Sequence, residues 1–223
     1  MALSKQEMLR LLVNSGVYLV TEDAVAAEGR LRSVDEALSA GARIVQLRDK
    51  RTPKRRLLEE ARSMKALCEA RGAAFIVNDD VALAWAADAD GVHLGQDDLP
   101  VEEARRLLGP EKLIGLSISA LEEALEADRQ GVDYIGVGAI FATPTKTDAE
   151  LGGLQLLERV RWRVKRPLVA IGGIDALNAG TVFRAGADAV AVVRAVFARP
   201  SIADATRELL EIARRARVER ESN

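Results

Sequence analysis

The chain has 223 residues, 48% apolar and 30% charged, a balance that excludes a disordered or fibrous protein. Its formal net charge of −2 gives no general attraction for nucleic acid or an anionic membrane, so any bound anion must be held by local groups. A single cysteine, Cys68, and a single histidine, His93, exclude a disulfide framework and the usual zinc sites by count.

In chain order, "MALSKQEMLRLLVNSG" has the spacing of an amphipathic helix over about residues 3–13 and not that of a cleavable signal. No apolar run approaches the ~20 residues of a membrane span, which predicts a cytoplasmic protein with neither membrane nor nucleic acid as partner. There follow the short apolar runs "VYLVT", "RIVQLR", "AFIVND", "GVHLG", "LIGLS", "YIGVG", "PLVAIGG" and "AVAVV", each too brief for a helix and each read as a buried strand. Between them stand helical segments such as "SVDEALSAG", "PVEEARRLLG", "SALEEALEADRQG" and "DALNAGTVFRAG", most opening on Ser, Pro or Asp and closing on Gly. Alternating strands and helices predict the α/β class, as one (β/α)₈ TIM-barrel domain over residues 1–223, with an extra N-terminal helix and the barrel at about 17–218. A doubly wound open sheet is the alternative. Cys68, in "LLEEARSMKALCEARG", is read as a small buried hydrophobe, and His93, inside "DGVHLG", as structural. The mixed charges of "PKRRLLEEAR" and "IARRARVERES" are read as solvated helix faces.

A barrel carries its chemistry at the C-terminal ends of its strands, and polar residues gather there. Strand two ends in Gln46, Arg48 and Lys50, strand three in Asn78 and Asp79, strand four in Gln96, Asp97 and Asp98, strand five in Ser117, and strand six in Thr143, Thr145 and Lys146. In "QLRDK", alternation turns Gln46, Arg48 and Lys50 to one side and Leu47 and Asp49 to the other. Two cations and an amide on one face suit half of a diphosphate site, or else a barrel-interior ion pair. Asp79 and Asp98, on adjacent strand ends, can share one Mg²⁺ with phosphate oxygens. Asp80 and Asp97 compete with them as ligands, and Asp80 is also placed to cap the helix beginning "VALAWAA". Gly172 and Gly173 follow strand seven, where barrels commonly bind phosphate, although tight packing also explains such pairs. "IFATPTKTDAELGG" is either an anion clamp or a solvated loop.

From about residue 17 to 197 the chain resembles the thiamin phosphate synthase (thiamine-phosphate pyrophosphorylase) family, through "QLRDK", "NDD", "ADGVHLGQDD", "IGLS", "TPTKTDA", "AIGGI" and "GADAVAVV" in that order. The resemblance implies a transferase with Mg²⁺ as cofactor and two small-molecule substrates, hydroxymethylpyrimidine diphosphate and hydroxyethylthiazole phosphate. They give thiamin phosphate and diphosphate by a dissociative route. It implies that Gln46, Leu47, Arg48, Asp49, Lys50, Asn78, Ser117 and Lys146 bind the pyrimidine diphosphate, with Lys146, Ser117 and Arg48 catalytic. It assigns Asp79 and Asp98 to the metal, and Thr143, Pro144, Thr145, Gly173, Val193 and Arg194 to the thiazole phosphate. Ala142 stands where the family usually has proline, and Arg194 where it has serine. A thiazole tautomerase relative on the same fold has a histidine at the position of Ser119. An epimerase or aldolase barrel and a non-catalytic precursor-binding protein are further alternatives, and a homodimer is left open.

Overall fold

Strands buried on both faces read as near-continuous apolar runs, and here these runs pair side by side in chain order until the last meets the first. A computed structural model of the protein describes residues 3–22, 26–142 and 153–221. The strands are β1 (Val17–Val20), β2 (Ile44–Leu47), β3 (Ala74–Asn78), β4 (Gly91–Leu94), β5 (Leu113–Ile118), β6 (Tyr134–Val137), β7 (Leu168–Ile171) and β8 (Ala189–Val192). All neighbours are parallel, and β1 pairs with β8, closing a TIM barrel. The open-sheet alternative is thereby excluded.

Alternation divides the apolar side chains into two cores. Val17, Leu19, Val45, Leu47, Phe75 and Val77 point out to the helical layer. Tyr18, Val20, Ile44, Ile76, Leu113, Tyr134 and Val169 point in. Helix α1 (Lys5–Ser15) plugs the N-terminal end of the barrel, adding Met8 and Leu12, both 2% exposed or less, to the inner core. Burying two such side chains contributes on the order of 3–6 kcal/mol. The helix starts at a capping box between Ser4 and Glu7 and stops at Gly16, whose φ of 66° is left-handed. With one end stoppered, only the C-terminal end is free to hold a ligand.

The outer layer comprises α2 (Ala27–Ser39), α3 (Lys54–Ala70), α4 (Val81–Ala86), α5 (Val101–Leu108), α6 (Leu121–Arg129), α7 (Gly153–Arg163), α8 (Ala179–Arg184), α9 (Arg194–Phe197) and α10 (Ile202–Glu221). Two helix starts differ by more than two residues from the sequence-based expectation, and one helix is additional. Helix α2 begins six residues before Ser33, because Arg30 is buried in it and bonded to Glu60 of α3. The run from Asp175 makes a turn before α8, the carboxylate of Asp175 accepting the Leu177 N–H. The short α9 after β8 was not anticipated. Cys68 is buried, as expected, and burial pushes its thiol up to about 12. None of the described helices is long and apolar enough to cross a membrane.

Candidate active site

At the C-terminal end of the barrel the strand ends and their loops surround a cavity of about 1030 Å³. Gln46, Arg48 and Lys50 line it from β2, Asn78 and Asp79 from β3, Asp98 from the loop after β4, and Ser117 from β5. Gly173, after β7, and Val193 and Arg194, after β8, line the opposite part of the wall. Ten of the residues expected at the site are thus brought together. Thr143, Pro144, Thr145 and Lys146 lie outside the described residues.

Leu47 and Asp49 do not line the cavity. They belong to "QLRDK", but alternation sends both side chains away from the cavity. Leu47 is 2% exposed and packs in the outer core. Asp49 accepts from the N–H groups of Arg51 and Thr52, each at 2.8 Å, and pairs with Arg30 at 2.7 Å. Burial works against its ionisation, but these donors outweigh it and hold the carboxyl at about 2. Asp49 therefore shapes the turn that aims Arg48 and Lys50, and its own charge is consumed outside the pocket.

Thr21 keeps the other side of this segment in place: its hydroxyl accepts the Arg48 N–H at 3.0 Å. Arg48 is thus anchored by backbone, and its guanidinium is half-buried at the cavity wall.

Lys50 pairs with Asp79 at 3.2 Å. Asp79 has φ of 63°, a left-handed conformation uncommon outside glycine and often found at functional positions. Its N–H donates to the His93 carbonyl at 2.8 Å. The carboxyls of Asp79 and Asp98 meet. Burial raises the Asp98 pKa, the Gly95 N–H lowers it, and the contact with Asp79 raises it further. Two carboxyl groups in contact, each with oxygens facing a cavity, form a donor set that a hard divalent cation would relieve. The residues present fit Mg²⁺.

Of the competing ligands, Asp80 is turned away from the cavity, whereas Asp97 lines it. Asp80 caps α4 by accepting the Leu83 N–H at 2.8 Å and pairs with Lys54 at 2.5 Å. Asp97 is exposed, while Asp98 folds back onto the Gly95 N–H at 2.6 Å.

Gly172 and Gly173 have φ of 108° and 61°. A Cβ on Gly173 would fall 2.7 Å from the Ala142 carbonyl, and one on Gly172 would fall 2.8 Å from Cβ of Ala139. Close approach of the loop after β6 therefore accounts for both glycines. The loop after β7 is held by Asn178, whose Nδ2 donates to the Gly173 carbonyl at 2.9 Å.

The sequence reading missed His93, Tyr18 and Tyr134. All three side chains line the cavity. Parity along the strands was the available signal, since His93 pairs with Asn78, which also lines the cavity.

A family model described as thiamine monophosphate synthase matches residues 17–196. The thiamine-phosphate synthase of Methanosarcina barkeri is 43% identical over 208 residues, covering 93% of this chain and 94% of that one. That of Chloroflexus aurantiacus is 49% identical over 201 residues, covering 89% and 92%. The solved thiamine phosphate pyrophosphorylase of Pyrococcus furiosus superposes with a TM-score of 0.85 at 40% identity, covering 92% of this chain and 98% of that one. The match in sequence, in fold and over nearly the whole of each relative has one reading: the chain belongs to the thiamine monophosphate synthase family of transferases.

Proposed function

We infer that this chain joins hydroxymethylpyrimidine diphosphate to hydroxyethylthiazole phosphate, giving thiamine phosphate and diphosphate. The observation that carries the reading is the Lys50–Asp79–Asp98 row beside Arg48, on the ends of three consecutive strands. Such a row offers cations to a diphosphate and carboxylates to a metal. Across the cavity, the loops after β7 and β8 provide a separate place for the second phosphate.

In the proposed reaction the C–O bond between the pyrimidine methylene and the diphosphate breaks, and its electron pair leaves with the diphosphate. The thiazole nitrogen lone pair then forms the new C–N bond to the methylene, and no proton has to move. Asp79 and Asp98 would hold Mg²⁺, which when bound supplies positive charge to the leaving oxygens. Arg48 and Lys50 add fixed positive charge at the same place, and preorganised charge of this kind acts most strongly where solvent is excluded. Lys146, by its place in the "TPTKTDA" motif, would join them. Ser117 would orient the pyrimidine ring. Gly173, Val193 and Arg194, with Thr143 to Thr145, would position the thiazole phosphate. For Leu47 and Asp49, any contact with substrate is confined to their backbone groups.

The tautomerase reading lacks its histidine: the position is Ser119, whose N–H and hydroxyl are 2.7 Å and 3.3 Å from the Glu123 carboxylate. Incubation of the purified protein with both substrates and Mg²⁺ tests the proposal, with thiamine phosphate and diphosphate expected in equal amounts. Turnover of neither substrate would refute it.

A further inference from the structure

The floor of the cavity holds a row of polar side chains, of which Tyr18, Tyr134 and His93 have no part in the chemistry above. Nε2 of Gln46 donates to the Tyr18 hydroxyl at 2.9 Å. The hydroxyls of Tyr18 and Tyr134 are 2.9 Å apart, the Tyr134 hydroxyl is 3.1 Å from Nδ1 of His93, and Nε2 of His93 is 2.8 Å from Oγ of Ser117. The row thus begins on β2, passes through β1, β6 and β4, and ends on β5. Gln46 and Ser117, at its two ends, both line the cavity.

Two glycines make room for it. A Cβ on Gly115 would fall 2.1 Å from Cζ of Tyr134 and 2.6 Å from Nδ1 of His93, and one on Gly136 would fall 2.9 Å from Cε1 of His93. Neither glycine has a positive φ, so the backbone does not require them and the row does. The rings of His93 and Tyr134 are stacked, with centroids 5.4 Å apart.

The Gln46 amide, placed with Nε2 toward Tyr18, sets the direction of the row once its protons are counted. Tyr18 and Tyr134 are 2% and 1% exposed, and burial pushes both phenols up, so each keeps its one proton at neutral pH. Tyr18 accepts from Gln46 and therefore gives its proton to Tyr134. Tyr134 in turn gives its proton to Nδ1 of His93. A neutral imidazole that accepts at Nδ1 is protonated at Nε2, and this N–H donates to Ser117 Oγ. The Ser117 proton is then left for the cavity, as is Oε1 of Gln46, which is no orphaned buried atom.

We propose that Tyr134 and His93 are positioning residues, whose hydrogen bonds couple Gln46 to Ser117, so that an acceptor at Gln46 toward the bound pyrimidine goes with a donor at Ser117. The proposal rests on the pyrimidine diphosphate being the substrate. An aminopyrimidine offers a ring-nitrogen acceptor and an amine donor, which match the two ends. Its oxo analogue offers a carbonyl and a ring N–H, and binding it in the same way requires every proton of the row to reverse. The row therefore selects for the amine, because a site built around one set of donors leaves buried groups unpaired when the set is inverted.

Because His93 is the only histidine, ¹⁵N NMR of histidine-labelled protein reads its tautomer without ambiguity and without substrate. A ring protonated at Nε2 and not at Nδ1 is expected, and Tyr134→Phe should let the Nδ1–H form appear. An Nδ1–H or doubly protonated ring in the wild type would overturn the assigned direction. In turnover, Tyr134→Phe should lower the ratio of kcat/KM for the aminopyrimidine diphosphate over its oxo analogue by about tenfold, with KM for the thiazole phosphate unchanged. His93→Gln, whose amide can still donate to Ser117, should retain the ratio, and His93→Leu should lose it even if Tyr134→Phe does not fold. Equal losses on both pyrimidines would reduce the row to a packing role. A wild type with the Nε2–H tautomer but no turnover would instead sink the substrate assignment and the selectivity with it, leaving the direction of the row intact.

Discussion

Nζ of Lys50 lies 3.2 Å from the carboxylate of Asp79, so a side chain proposed for the diphosphate and one proposed for the metal neutralise each other across the mouth of the cavity. Asp79 in turn meets Asp98. Charge at this site is balanced only locally, and a metal diphosphate inserted here would exchange these pairings for stronger ones.

Removal of the metal should therefore stop the reaction. Excess chelator is expected to abolish thiamine phosphate formation, and Mg²⁺ to restore it. Asp79→Asn and Asp98→Asn should each lower kcat by about 10²-fold or more, with melting temperatures near that of the wild type. Asparagine tolerates the left-handed backbone at position 79, so the comparison is not confounded by strain. Asp97→Asn should be close to neutral, because the carboxyl in contact with Asp79 is that of Asp98. Undiminished product in chelator would exclude the metal assignment.

Arg194 is exposed at the start of α9 and lines the cavity. Arg194→Ser should raise KM for the thiazole phosphate several-fold, leave kcat near the wild-type value, and weaken the salt dependence of that KM. Steady-state kinetics at two ionic strengths decide this. Unchanged KM at both would show that the guanidinium does not reach the phosphate.

The buried Arg30 joins Asp49 and Glu60, at 2.7 Å and 2.6 Å. Arg30→Ala would leave two buried carboxylates without their cation, and a loss of about 3–5 kcal/mol is expected in urea unfolding. A loss below about 1 kcal/mol would mean that solvent reaches the cluster and compensates.

Asp49 also sets a pH dependence. Its folded pKa, about 2, lies below the ordinary value of 3.8, so its contribution is fully present above about pH 4 and is lost as pH falls through about 2. The difference in unfolding free energy between wild type and Asp49→Asn should shrink over that window, by on the order of 2 kcal/mol. A difference that stayed constant from pH 5 to pH 2 would contradict the assignment.

Gly115→Ala tests the packing of the cavity floor. The added methyl would meet Tyr134 and His93, so a loss of about 1–3 kcal/mol is expected from overpacking, measured by thermal unfolding. Gly72→Ala is a poor control despite its open surroundings, because its φ of 62° is itself strained for alanine.

The amino-acid sequence by itself determined the barrel and much of the rim of its site. Each strand is a short apolar run bounded by turn residues, and each side chain's inward or outward sense follows from a period of two, so "QLRDK" alone separated Arg48 and Lys50 from Leu47 and Asp49. The cap at Asp80 was equally local, since its partner is three residues away. Tertiary structure alone decided that the carboxyls of Asp79 and Asp98 touch, that α2 begins at Ala27, and that Asp49 is spent on Arg30. It also decided that His93 links Tyr134 to Ser117. These outcomes depend on atoms 19 or more residues apart in the chain, brought within hydrogen-bonding distance by closure of the sheet. Propensity and periodicity act over a few residues, whereas the partners of a buried polar group are chosen by whichever strands and helices the closed barrel sets beside it.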